Sequence, residues 1–97
     1  GYLPIQKAER CKKIAELEKE SAIKNQTQIF IETPYRNQAL LEDLVQTCEP
    51  GTELCVATDL TLPSEKIDTR AAGAWRKGLP DINKKPTIFL LYRPRSS

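Results

Sequence analysis

The stretch TQIFIETPYR, residues 27–36, decides the fold because its character changes in the middle. Its first six residues centre on β-branched side chains and a phenylalanine, a composition typical of a β-strand. Thr33 is a good helix N-cap, and Pro34 follows at the first helical position, where proline is favoured. The stretch therefore predicts a strand over 27–32 and then a helix from Pro34 to about Cys48.

The segments on either side of this stretch continue the alternation of helices and strands. Residues 7–25 carry Cys11, Ile14 and Leu17 three positions apart, which predicts an amphipathic helix. Apolar runs predict strands at 53–59 and 87–92, and both faces of the first are largely apolar, as in a strand covered on both sides. A short polar strand is expected at 65–69 and a short helix with Trp75 at 71–77. A fifth strand is possible at Tyr2-Leu3.

This order of elements predicts an α/β domain, a mixed four- or five-stranded sheet with helices packed on it. A chain of 97 residues has room for one domain with one modest core, so residues 1–97 are taken as a single domain. The side chains expected in that core are Ile29, Ile31, Leu41, Leu44, Val56, Ile88 and Leu90.

The composition excludes several kinds of site. Histidine is absent, which removes Ser-His-Asp and Cys-His catalysis and any His-ligated metal site. The three cysteines form no C-x-x-C pair, so reduced thiols in a cytoplasmic protein are expected. No apolar run reaches ~18 residues and no basic segment opens the chain, so neither a membrane span nor a signal peptide is expected. A chain that starts at Gly1 without methionine looks like a piece of a longer or processed protein.

Three places where an apolar strand ends in polar residues are candidate sites, because open α/β sheets bind ligands at strand ends. They are residues 32–36, 58–61 and 84–87. The first combines a carboxylate, a helix N-terminus and a cation, and an ion pair between Glu32 and Arg36 is its purely structural interpretation. A polar turn and a basic surface loop are the corresponding interpretations of the other two. No Gly-rich phosphate loop or nucleophile elbow is present.

Taken together, these segments resemble the C-terminal half of the tetrapyrrole (corrin/porphyrin) methylase superfamily, and most closely the ribosomal RNA small subunit methyltransferase I type. GYLP at 1–4 is similar to the family's G-F-L-P, IFIETPYR at 29–36 to F-Y-E-[SA]-P-[HK]-R, and CVATDLT at 55–61 to V-V-A-R-E-L-T. Further along the chain, two more segments resemble the family pattern: EKI at 65–67 with the helix that follows it, and the strand at 86–91. Thr58, Asp59, Ala71 and the Lys85-Pro86 pair depart from the family pattern.

The resemblance implies a two-domain class III methyltransferase that binds S-adenosylmethionine between an N-terminal domain, absent from this sequence, and this C-terminal domain. No metal is implied. Tyr35 and Arg36 would contact substrate or RNA, and Glu32 is the candidate catalytic residue, because it is the only carboxylate in the best-matched motif. The residues that map to the cofactor wall are Ile31, Glu32, Thr33, Asp59, Leu60, Pro86 and Thr87.

Two classes of function remain open on this basis. The first is one half of a methyltransferase that acts on the ribose 2′-oxygen of small-subunit rRNA, with a corrin or porphyrin as the alternative substrate. The second is a non-catalytic RNA-binding or dimerisation module. Family members commonly form homodimers, so the expected partners are the N-terminal domain, a second copy and rRNA. An exposed apolar patch would favour the half-enzyme.

Overall fold

Helices and strands alternate along the chain in a computed structural model, which describes residues 3–94. The three predicted helices and the four main predicted strands are present. The possible fifth strand at Tyr2-Leu3 is not seen at Leu3, which is buried in irregular backbone, and Tyr2 lies outside the described residues. The helix expected from Pro34 begins as a single 3-10 turn, Pro34–Arg36. The elements are α1 (Lys7–Lys24), β1 (Gln28–Ile31), α2 (Asn37–Thr47), β2 (Glu53–Thr58), β3 (Lys66–Ala71), α3 (Ala72–Trp75) and β4 (Thr87–Tyr92).

The four described strands form one sheet in the order β1-β4-β2-β3. The predicted α/β fold with helices packed on a four-stranded sheet is confirmed, whereas all three strand pairings are antiparallel instead of mixed. β1 and β2 run parallel to each other, as a crossover through α2 allows. β4 inserts between them in the opposite direction, pairing Phe30 with Phe89 and Phe89 with Val56, and this insertion removes any direct parallel pair.

One face of the sheet, called here the covered face, packs against the helices. Phe30, Phe89 and Leu91 point to this side, and each is at most 2% exposed. The predicted core residues Leu41, Leu44 and Val56 belong to the same cluster. Trp75 is also buried there, and its indole N–H donates to the Leu54 carbonyl at 2.9 Å, which satisfies its one polar atom.

The opposite face, called here the open face, carries apolar side chains with no helix over them in the described part of the chain. Ile29 is 56% and Ile31 37% exposed, so their prediction as core residues is wrong. Ile88 and Leu90 also lie on this face and are half-buried. Side chains alternate between faces along a strand, and here both faces are apolar, so the alternation does not indicate which one the helices cover.

A buried ion pair joins α1 to α2. Arg10 Nε donates to Asp43 Oδ2 at 2.6 Å, and both side chains are more than nine-tenths buried. Lys7 Nζ lies 2.7 Å from the other oxygen of Asp43, which raises the pKa of Lys7 through a hydrogen bond and charge attraction. Farther along α1, Glu18 accepts the Glu49 backbone N–H at 2.7 Å and so ties the helix to the turn before β2.

Candidate functional site

The three predicted sites meet at one edge of the sheet, where they surround a pocket of about 280 Å³. Because β4 is antiparallel to both neighbours, its first residues lie beside the last residues of β1 and β2. Thr33 contributes no lining side chain. The predicted wall residues that line this strand-end pocket are Ile31, Glu32, Asp59, Leu60, Pro86 and Thr87.

Glu32 is a buried carboxylate of the strand-end pocket, with 2% of its side chain exposed. Its Oε1 accepts the backbone N–H of Thr33 at 2.8 Å and lies 3.8 Å from Nη1 of Arg36. The predicted contact between Glu32 and Arg36 is therefore present, although it is long. The second oxygen, Oε2, is buried and has no hydrogen-bond partner in the described structure.

The two residues predicted to contact substrate lie outside the strand-end pocket. Tyr35 is 78% exposed and borders a broad, shallow groove with Gln38 and Leu79 on the α2 side. The Arg36 side chain is 43% exposed and reaches back only to Glu32. The structure thus separates Tyr35 and Arg36 from the wall residues with which they are grouped in the sequence motif.

The loop between β2 and β3 forms one rim of the strand-end pocket and is held by its own hydrogen bonds. Asp59 and Thr61 have positive φ values, 52° and 68°, a backbone conformation that costs a non-glycine residue about 1–2 kcal/mol. The Asp59 N–H donates to the Pro86 carbonyl at 3.0 Å, while its carboxylate accepts the Ser64 hydroxyl at 3.1 Å. These bonds offset the strain and fix the loop against the start of β4.

The opposite rim is fastened by a residue that the sequence did not single out. Asn37, the first residue of α2, is fully buried, and its side-chain amide donates to the Lys85 carbonyl. The Lys84 N–H donates to the Pro34 carbonyl at 3.1 Å, so the segment before β4 is held against the turn after β1. The sequence carries no local indication of this role, because the contact joins residues 48 positions apart.

The lining of the strand-end pocket can surround an apolar group and accept hydrogen bonds from it. Its walls are mainly aliphatic and proline side chains, and its charged lining residues are Glu32 and Asp59.

Among the described residues, no cluster of metal-binding side chains is found. Cys48 lies in the core, where burial raises the pKa of its thiol and makes it a poor nucleophile. The residues the structure describes include no helix that is long and apolar enough to cross a membrane.

Comparisons with known proteins identify the fold but no sequence family. No family model and no curated protein matches the sequence. Among solved structures, the fold is similar to that of the methyltransferase CobJ, with a TM-score of 0.54 and 19% sequence identity. The similarity covers 96% of this chain and 39% of the CobJ chain, so this chain spans about two fifths of the length of CobJ.

Proposed function

We propose that this chain is the C-terminal domain of an S-adenosylmethionine-dependent methyltransferase of the tetrapyrrole methylase superfamily, and that it forms one wall of the cofactor cleft. The strand-end pocket is the observation that carries the proposal. It gathers six of the seven wall residues that the family resemblance names, although these come from three separate segments. The similarity in fold to the methyltransferase CobJ over 96% of the chain supports it.

The residues of the strand-end pocket suit part of such a cofactor. Its volume of about 280 Å³ is just below the ~300–1,000 Å³ of typical ligand sites, as expected for one wall of a larger cleft. Ile31, Ala57 and Leu60 would exclude water from the adenine ring of the cofactor. The unpaired Oε2 of Glu32 would accept a hydrogen bond from it. When bound, S-adenosylmethionine supplies a methyl group that is already activated on its sulfonium. This wall would then contribute alignment of the cofactor.

The open face supports a half-enzyme over a self-sufficient binding module. Ile29 and Ile31 on β1 and Ile67 on β3 are exposed there, at the two edges of the sheet, and exposed apolar side chains sharing one face mark a surface that another protein surface covers. The missing N-terminal domain and a second copy of the chain are the partners we propose. The strand-end pocket lies at one end of this face, since Ile31 and Ile88 belong to both.

The substrate that the resemblance ranks first is the ribose 2′-oxygen of small-subunit rRNA, and a corrin or porphyrin ranks second. A methyl-transfer assay of the full-length parent, with labelled S-adenosylmethionine, decides between them. Label in ribosomal subunits supports the first substrate, and label in a tetrapyrrole precursor supports the second. Absence of transfer to both would contradict the proposed function.

The 97 residues alone should be inactive, because one open wall buries much less of a ligand than a closed cleft does. We expect S-adenosylmethionine to bind this chain with a Kd above about 1 mM, which corresponds to about −4 kcal/mol. Isothermal titration measures this directly. Micromolar binding would mean that the cofactor site is complete within this chain and that the cleft has been misplaced.

A further inference from the structure

Two buried side-chain atoms within residues 3–94 have no hydrogen-bond partner, Glu32 Oε2 and Asn37 Oδ1. Such atoms are rare in folded proteins, because an unpaired buried acceptor loses its bonds to water without replacement. Asn37 lies outside the strand-end pocket, and its amide nitrogen already fastens the segment before β4. Glu32 lines the pocket, so its free oxygen is the one that a ligand can use.

The way Glu32 is held leaves this oxygen available. Both contacts of the carboxylate, the Thr33 N–H at 2.8 Å and the Arg36 guanidinium at 3.8 Å, are to Oε1. The bond to Thr33 anchors the side chain at the pocket wall.

The charges around the strand-end pocket restrict what can bind there. Glu32 and Asp59 are its charged lining residues, and no lysine or arginine lines it. An ionised carboxylate accepts hydrogen bonds and donates none, and two of them repel phosphate groups. Each carboxylate already accepts one bond, Asp59 from Ser64 and Glu32 from Thr33, but the unpaired oxygen of Glu32 is buried, where a missing partner costs most.

We propose that Glu32 determines the ligand specificity of the strand-end pocket: its carboxylate accepts a hydrogen bond from an N–H or O–H of an unphosphorylated nucleoside group. This inference rests on the proposed function, in which that group is the adenosine part of S-adenosylmethionine. The donor is either the exocyclic amine of the base or a ribose hydroxyl, which share this chemistry. The same pocket rejects phosphorylated nucleosides.

The test follows the backbone amides of the ¹⁵N-labelled chain by NMR while adenosine is added to millimolar concentration, where weak binding is still visible. We expect shifts at 31–33 and 59–60 that grow with the adenosine concentration. In Glu32→Gln, an amide group replaces the free oxygen, and the shifts should fall to about one tenth or less, as loss of a charge-assisted hydrogen bond implies. Glu9→Gln makes the same chemical change at an exposed residue of α1 that does not line the pocket, and it should leave the shifts unchanged.

Analogues of adenosine test the same inference on the unaltered chain, so the result does not depend on the folding of a variant. Purine riboside lacks the amine and 2′,3′-dideoxyadenosine lacks the two hydroxyls. One of them should bind about 10-fold more weakly than adenosine, which identifies the donor. Adenosine 5′-monophosphate should also bind more weakly.

Three results would overturn the inference. The first is equal binding of adenosine by the unaltered chain and Glu32→Gln, and the second is equal binding of adenosine and both analogues. In either case Glu32 is structural, while the pocket and the proposed function stand. The third is the absence of shifts at the pocket residues with adenosine, after which the methyl-transfer assay of the parent still decides the proposed function separately.

Discussion

The two faces of the sheet are built from the same strands and have similar apolar composition, yet they differ in what covers them. Phe30 on the covered face is 2% exposed, and its chain neighbour Ile29 on the open face is 56% exposed. The covered face packs against α1, α2 and α3, and so it provides the stability of this chain. The open face ends in the strand-end pocket, so it is the side that a ligand or another protein surface would meet.

The largest expected effect contrasts two adjacent residues of β1. Phe30→Ala should lower the free energy of unfolding by about 3–5 kcal/mol, because it leaves a cavity in the core. Ile29→Ala should lower it by less than about 1 kcal/mol, because the side chain is already largely in water. Urea unfolding followed by Trp75 fluorescence measures both. Equal losses would mean that the two faces contribute alike to stability.

The next effect concerns the Arg10–Asp43 ion pair between α1 and α2. Asp43→Ala should cost about 3 kcal/mol, because the buried Arg10 guanidinium then keeps its bond to the Ile5 carbonyl but loses its counter-charge. The double variant Arg10→Met, Asp43→Leu removes both charges and should recover most of the loss. If the double variant is no more stable than Asp43→Ala, the loss in that variant comes from the missing ion pair itself. It would then not come from leaving the Arg10 charge uncompensated.

A smaller effect depends on pH through Cys48, whose thiol pKa is raised by burial and by the Glu18 carboxylate. Above the ordinary value of 9.0, the unfolded chain loses this proton while the folded chain keeps it. The unfolded state then binds fewer protons, so stability is complete below pH 9 and falls above it, by about 1.4 kcal/mol per pH unit. Cys48→Ala should remove that part of the slope between pH 9 and 10. If Cys48→Ala leaves the slope of stability against pH unchanged, the pH dependence does not come from the Cys48 thiol.

The alternation of elements could be predicted from the sequence because it depends on local patterns, whereas the meeting of three strand ends was implied only by the family resemblance, since it depends on the strand order. The 27–36 stretch indicates a strand followed by a helix, and the polar residues after each apolar run indicate its end. The burial of Ile29 and Ile31 could not be predicted, since an apolar strand allows either face inward. The placement of β4 beside β2, the Arg10–Asp43 pair and the role of Asn37 depend on contacts between residues at least 29 positions apart.

The smallest expected change in stability comes from the open face, where the double variant Ile29→Thr, Ile67→Thr should stay within about 0.5 kcal/mol of the unaltered chain. Both residues are more than half exposed, and threonine keeps the β-branch that suits a strand. The effect should instead appear in association, because the open face buries its apolar side chains only against another surface. Sedimentation at rising concentration should show self-association of the unaltered chain and a weaker tendency in the variant. A chain that stays monomeric at all concentrations would mean that a second copy does not cover this face.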